Sequence, residues 1–178
     1  MDRGSDVSMG LKILGAVLIF AACAGCGLII AYHHKKEINT LKKLIAALDF
    51  LECELQYRMV ALPDLCRQTA AETDGVLRQV FLKLSNELED QISPDVRRCM
   101  QSVLMKTKEI PSASLACLHL LGDSLGRFDL QGQLKGLQAV RQECRTRLKK
   151  LCMNADVRIR SYQTLALCAG AAIIILLI

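Results

Sequence analysis

The stretch "LLGDSLGRFDLQGQL", residues 120–134, decides the fold because it places a glycine-punctuated corner between two helical patterns. The residues before it, "SASLACLHLL" at 112–121, are typical of a helix. Gly122 and Gly126 flank the predicted end of that helix, where glycine accepts left-handed backbone. Asp129 is a candidate N-cap for the helix that follows. The stretch therefore predicts a corner that joins two helices, with Asp123, Arg127 and Asp129 exposed.

Beyond the corner, the apolar residues recur at steps of three and four, which keeps one seam facing a partner helix. Arg141 interrupts this seam, and Gly132 and Gly136 lie inside the predicted helix. Because each interior glycine costs about 1 kcal/mol relative to alanine, these two indicate a backbone that another helix approaches closely. The seam consists of Leu134, Leu137, Cys144, Leu148, Leu151, Ala155, Ile159 and Tyr162.

The rest of the middle of the chain follows the same period. One apolar stripe consists of Ile38, Leu41, Ile45, Leu48, Leu51 (or Glu52) and Leu55, and another starts at Val76. Pro63 suits a first helical turn. The residues "SPD" at 93–95 predict a helix start, with Ser93 as N-cap and Pro94 at N1. No stretch alternates with period two, as a half-buried strand would. The sequence predicts an all-α fold with about six helices.

The corner also matches two esterase patterns. Residues 122–126 read as G-x-S-x-G, and residues 122–125 spell GDSL, so Ser124 is a candidate nucleophile. A nucleophile elbow needs a strand before the serine and a histidine after it. The histidines here are His33, His34 and His119, and all precede Ser124. With no P-loop, HExxH or dinucleotide motif either, we expect a non-enzymatic protein that needs no cofactor or metal.

Both ends of the chain are apolar. Residues 13–32 carry no charge and are long enough to cross a bilayer as a helix. Residues 162–178 form a shorter apolar segment. The predicted organisation is a tail at 1–12, a transmembrane helix at 13–32, a cytoplasmic helical bundle at 33–161 and a second transmembrane helix at 162–178. A cleaved signal peptide is the alternative for the first span, but the strongest basic cluster follows it, the reverse of such a peptide.

Basic residues indicate the orientation. Lysines at 35, 36, 42 and 43 follow the first span, and residues 130–161 contain eight basic and two acidic side chains. The positive-inside bias therefore places the middle of the chain in the cytoplasm. A juxtamembrane basic stretch also favours contact with membrane lipids. Nucleic acid is a less favoured partner of this basic stretch than lipid, because aromatic residues make up only 4% of the chain.

The nine cysteines are scattered without a disulfide framework, which favours small buried residues in a reducing compartment. Cys23 and Cys26 form a C-x-x-C motif inside the first span, so a membrane thiol oxidoreductase is one alternative function. The favoured interpretation is close packing between membrane helices through small residues four apart. These are the pairs Ala21 with Gly25 and Cys23 with Gly27.

Four stretches resemble the stage III sporulation protein AB family of endospore-forming bacteria: "MGLKILGAVLIF" near the start, "LKKLIAALDFLECELQY…LPDL", "LGDSLGRFDLQGQLKGL" and "Y…LALCAGAAIIILLI" at the end. The corner with Gln131 and Gln133 is the most specific part. That family is in turn similar to the helical cytoplasmic domains of type II secretion F proteins. The resemblance implies a membrane component of the channel apparatus between mother cell and forespore, on the mother-cell side and near a hexameric secretion-type ATPase.

We therefore expect a membrane platform or adaptor of a sporulation complex, whose partners are other membrane components and that ATPase. An F-type platform protein of another secretion or pilus system is the second interpretation. We expect the corner to be the partner-docking surface, although a mere connector is an equal alternative. The docking residues would be Gly122, Asp123, Gly126, Arg127, Asp129 and Gln133.

Overall fold

A computed structural model describes residues 32–58, 60–90, 95–126 and 130–177, with side chains up to Met153. Within these ranges the chain forms six helices and no strand, so the predicted all-α fold is confirmed. The helices are α1 at 32–57, α2 at Leu62–Glu72, α3 at Gly75–Glu89, α4 at Val96–Lys106, α5 at Ser112–Ser124 and α6 at Leu130–Leu177.

The chain divides into two compact units. One is Lys36–Cys152, and the other combines Met1–Lys35 with Met153–Ile178. Of the second unit, the structure describes the helical backbone at 32–35 and at 153–177. Among the described residues, no helix has the length and apolar character needed to cross a membrane. Residues 13–31 of the predicted first span lie outside the described residues.

The core of the Lys36–Cys152 unit is built from one apolar face of each helix. On α1, Leu41, Leu48, Leu51 and Leu55 are buried as their spacing predicts, whereas Ile45 is only partly buried. Helix α2 packs on α3, α3 on α4 and α4 on α5. The largest side chains that these helices bury completely are Leu65, Leu77, Phe81, Leu84, Met100, Leu118 and Leu121.

Two helix starts show how local chemistry sets the bounds. Pro63 lies in the first turn of α2, as predicted, where its missing N–H is not needed. The prediction for α4 is wrong: Asp95, rather than Ser93, is the N-cap, and the helix begins at Val96. The Asp95 carboxylate accepts a 3.1 Å hydrogen bond from the Arg97 backbone N–H, which satisfies one free donor of the first turn.

Arg141 interrupts the apolar seam of α6 because it serves the contact with α1. Its Nη1 atom lies 2.6 Å from Asp49 Oδ1 and 2.7 Å from Glu52 Oε2. The Gln138 amide also donates a 2.8 Å hydrogen bond to Glu52 Oε1. The hydrogen bond to Asp49 raises the pKa of Arg141, so the guanidinium stays charged. On the apolar side of α6, Leu137, Val140 and Cys144 are buried.

The described cysteines are free thiols, and their burial divides them into two groups. Cys66, Cys99, Cys117 and Cys144 are buried, which confirms the predicted role as small core residues, whereas Cys53 and Cys152 are exposed and the prediction is wrong for them. Burial raises the pKa of Cys66 to about 12. A hydrogen bond with Cys117, together with burial, raises the pKa of Cys144.

Candidate functional site

The predicted corner is formed where α5 ends beside the start of α4. Helix α5 ends at Ser124, and the Leu125 N–H donates a 3.0 Å hydrogen bond to the Leu121 carbonyl. Gly126 follows, and α6 begins at Leu130. Arg127 and Asp129, two of the predicted docking residues, lie outside the described residues. The described corner residues lie where α4, α5 and α6 contact one another.

Gly126 has a backbone that other residues rarely adopt. Its φ of +75° is left-handed, as predicted for a glycine just past a helix end. A Cβ atom at this position would also lie 2.4 Å from Cγ2 of Val96, the first residue of α4. The chain therefore turns away from α5 in direct contact with the start of α4.

Gly122 and Gly136 are points of close helix approach. A Cβ on buried Gly122 would lie 2.8 Å from Met100 Cβ, so this glycine lets α5 approach α4. A Cβ on Gly136 would lie 2.8 Å from Ser124 Cβ, so this glycine lets α6 approach the end of α5. The second contact confirms that an interior glycine of α6 marks a close approach.

The Ser124 hydroxyl is hydrogen-bonded within its own helix. It is the last residue of α5, and its hydroxyl donates a 2.9 Å hydrogen bond to the Leu120 carbonyl in the preceding turn. A helix therefore leads into Ser124, as expected, where a nucleophile elbow requires a strand. The described part of the chain contains no cluster of three or more histidine, cysteine, aspartate or glutamate residues that could hold a metal ion.

Asp123 is half-exposed and paired with an arginine of α4. Arg97 Nε lies 2.6 Å from Asp123 Oδ1, and Arg97 Nη2 lies 3.5 Å from Asp123 Oδ2. The pair is open to solvent, with 47% of the Arg97 side chain and 36% of the Asp123 side chain exposed. Arg97 is thus a corner residue that sequence reasoning missed, because no spacing rule connects residues 26 apart.

The positions of these two charges run against the dipoles of their own helices. Arg97 is the second residue of α4, where the positive end of the helix dipole disfavours a cation. Asp123 is the penultimate residue of α5, where the negative end disfavours an anion. Each placement costs about 0.3–1 kcal/mol for an exposed group. On the dipoles of their own helices alone, this orientation of the ion pair is the less favourable of the two.

The other predicted site residues are placed as follows. Gln133 is half-buried on α6, three residues before Gly136. The four residues predicted to pack membrane helices, Ala21, Cys23, Gly25 and Gly27, lie outside the described residues. Within its described part, the corner thus brings together Gly122, Asp123 and Gly126 with Arg97, Val96 and Met100 of α4.

Comparisons with known proteins agree with this architecture. Residues 12–178 match the family described as stage III sporulation protein AB. Stage III sporulation protein AB of Bacillus subtilis (strain 168) is 28% identical over 131 residues, which are 72% of this chain and 76% of that protein.

A solved structure of stage III sporulation protein AB (SpoIIIAB) matches with a TM-score of 0.61 at 20% identity. The match covers 68% of this chain and 97% of the solved one, and at this identity it supports the fold alone. The family match, in contrast, extends over almost all of the sequence. The chain belongs to the stage III sporulation protein AB family.

Proposed function

We propose that this protein is a non-enzymatic membrane platform or adaptor of the sporulation channel complex between mother cell and forespore. Its corner would dock a secretion-type ATPase on the cytoplasmic side, together with other membrane components of the complex. Family membership over residues 12–178 supports the assignment to sporulation. The ATPase and the channel come from the family resemblance, and the corner supplies a surface suited to a protein partner.

The observation that carries the docking proposal is the orientation of Arg97 and Asp123. Exchanging the two residues would keep the ion pair and place each charge favourably on its helix dipole. An exposed ion pair that keeps an orientation disfavoured by the dipoles of its own helices breaks a local rule, and such exceptions are expected at functional sites. Gly122 and Gly126 support the same proposal, because they allow α4 to lie close against the corner, and a preorganised surface loses less entropy on binding.

The charge of α6 supports attachment at a membrane surface. Lys135, Arg145, Lys149 and Lys150 are exposed on this helix. The acidic residue in the same part of α6, Glu143, is half-buried and pairs with Arg147 at 2.7 Å. A basic face of this kind attracts anionic lipids over a distance of about a Debye length. In the proposal, the apolar segments at 13–32 and 162–178 anchor the protein in the membrane.

The test is recovery of partners by a tagged full-length chain from solubilised membranes of its endospore-forming host during sporulation. The wild-type chain should recover a P-loop ATPase and other membrane components. The exchanged variant Arg97→Asp/Asp123→Arg keeps the ion pair but reverses its direction, so we expect it to lose the ATPase while the chain remains folded.

A matched control separates docking from general disturbance of the bundle. Arg67 of α2 and Glu89 of α3 form another exposed ion pair between helices. The exchange Arg67→Glu/Glu89→Arg should leave partner recovery and spore formation unchanged. Full recovery of the ATPase by the exchanged corner variant would contradict the docking proposal. Loss of recovery in both variants would contradict the assignment of docking to the corner.

A further inference from the structure

A second surface, apart from the corner, combines a cleft with a concentration of positive charge. The cleft has a volume of about 680 Å³, opens to solvent, and lies among the beginning of α1, the start of α3 and the connection from α4 to α5. Two carboxylates, those of Asp74 and Glu109, also line it. The lysines that line this lysine cleft are Lys36, Lys43, Lys83, Lys106 and Lys108. The ammonium of Lys106 pairs at 2.8 Å with Glu87, which does not line the cleft.

The two carboxylates lie on the solvent side of their lysine partners. Lys36 Nζ is 3.1 Å from Glu109 Oε2, and Lys43 pairs with Asp74. The Glu109 and Asp74 side chains are 78% and 70% exposed, against 42% and 40% for the two lysines. Exposed ion pairs of this kind contribute only about 0–1 kcal/mol each. Carboxylates from another molecule can therefore replace those of Glu109 and Asp74.

Glu109 reaches the cleft from a left-handed backbone position. Its φ of +69° is left-handed, which costs a residue with a side chain roughly 1–2 kcal/mol. The connection is fastened on its other side, where Glu37 of α1 accepts hydrogen bonds of 2.9 Å from Ser112 Oγ and 3.1 Å from the Ala113 N–H. Displacement of the Glu109 carboxylate from Lys36 would leave this second attachment in place.

The lysines are spread over several elements, which indicates the shape of the ligand. Lys83 of α3 donates hydrogen bonds of 3.3 Å to the Lys106 carbonyl and 3.2 Å to Thr107 Oγ1. Lys108 is exposed and makes no ion pair with any described residue. Separate ammonium groups along a cleft suit an extended anion, whereas a single phosphate is bound by converging backbone N–H groups or an arginine fork.

We propose that the lysine cleft binds an extended acidic segment of a partner protein, whose carboxylates take the places of Glu109 and Asp74. Charge complementarity with the separate ammonium groups of the cleft favours a run of glutamate or aspartate residues as the occupant. The lysine cleft shares no residue with the corner. Absence of peptide binding at the cleft would therefore leave the corner-docking test unaffected, and loss of corner docking would leave peptide binding unaffected.

The test uses the full-length chain in neutral detergent and a fluorescein-labelled octaglutamate peptide, with binding followed by fluorescence anisotropy at low ionic strength. Replacing three cleft lysines, Lys36→Gln/Lys43→Gln/Lys108→Gln, should raise the Kd about tenfold, because three ammonium groups of a poorly screened cluster are lost. The matched control Arg58→Gln/Arg67→Gln/Arg98→Gln removes the same charge from exposed positions outside the cleft and should change the Kd less than about twofold.

A second pair of variants tests the replacement of carboxylates. Glu109→Gln should tighten peptide binding several-fold, whereas Glu89→Gln, with the same charge change outside the cleft, should leave it nearly unchanged. Equal weakening by the two triple variants, or no binding by the wild-type chain, would overturn the proposal. Tripolyphosphate that displaces the labelled peptide at lower concentration than unlabelled octaglutamate would also overturn it, in favour of a small polyphosphate ligand. Circular dichroism melting checks that each variant is folded.

Discussion

Arg97 in the first turn of α4 and Asp123 in the last turn of α5 form an ion pair, with Arg97 Nε 2.6 Å from Asp123 Oδ1. Each residue lies at the helix end where its charge is disfavoured by the dipole of its own helix. Their mutual attraction offsets this placement, and the pair connects two helix ends at the corner.

The exchanged variant Arg97→Asp/Asp123→Arg should therefore be more stable than the wild-type chain. Both charges become favourable to the helix dipoles, which gives an expected gain of about 0.5–1 kcal/mol. Urea denaturation of the full-length chain in detergent, followed by circular dichroism, measures the difference. Asp123→Ala, which leaves Arg97 without its partner, should be less stable than the exchanged variant. A loss of stability in the exchanged variant would show that the dipole argument is wrong.

Gly126→Ala should destabilise the fold through both backbone strain and a collision with Val96. Left-handed backbone costs about 1–2 kcal/mol for alanine, and overpacking typically adds about 1–3 kcal/mol. Adding Val96→Ala removes the methyl group that lies 2.4 Å from the new Cβ, so the second cost should disappear.

A double-mutant cycle measured by urea denaturation separates the two contributions. Gly75→Ala is the control, because Gly75 has a φ of +61° but a Cβ placed on it would meet no atom within 4 Å. The free energy of unfolding of Gly75→Ala should fall only by the cost of left-handed backbone for alanine. If Gly126→Ala costs the same with and without the Val96→Ala substitution, the contact between α4 and the corner does not constrain this glycine.

Arg141→Met should cost about 2 kcal/mol of stability. The substitution leaves Asp49 and Glu52 without their shared partner, and the Arg141 and Glu52 side chains are only 26% and 16% exposed. Arg67→Met is the matched control, because the pair of Arg67 with Glu89 is far more exposed. This control should lose at most about 0.5 kcal/mol. Equal losses in the two variants would contradict a special role for Arg141 between α1 and α6.

Cys66 should make stability fall with rising pH in the alkaline range. Its pKa is raised from the ordinary thiol value of 9.0 to about 12 in the folded chain by burial. Between these two values the unfolded chain loses the thiol proton and the folded chain keeps it. The stabilisation is therefore fully present below about pH 9 and is lost as pH rises toward about 12, by at most about 1.4 kcal/mol per pH unit.

Urea denaturation at a series of pH values from about 8 to about 11 measures this slope. Cys66→Ala should show a shallower slope than the wild-type chain, while the cavity that it creates shifts all its values by a constant amount. Cys53→Ala, which removes an exposed thiol, is the control for the loss of a cysteine as such. Identical slopes for the wild-type chain and Cys66→Ala would contradict the burial of a neutral thiol.

The sequence by itself determined the features that depend on neighbouring residues. The period of the apolar residues places Leu41, Leu48 and Leu137 on the inner faces of helices, and Gly126 marks the end of α5. These predictions hold because helix periodicity and the backbone freedom of glycine are local properties. Even Gly136 could be identified as a point of close approach, from the cost of glycine inside a helix.

Only the tertiary structure decided which side chains meet. Arg97 is 26 residues from Asp123, and Arg141 is 92 residues from Asp49. Such pairs depend on how the helices pack, and the pattern of a single helix contains no information on which charge of another helix lies opposite. The same applies to the lysine cleft, whose charges come from α1, α3, α4 and the connection from α4 to α5 and are neighbours only after folding. Local periodicity therefore specifies each helix and its buried face, whereas packing between helices specifies the surfaces available to partners.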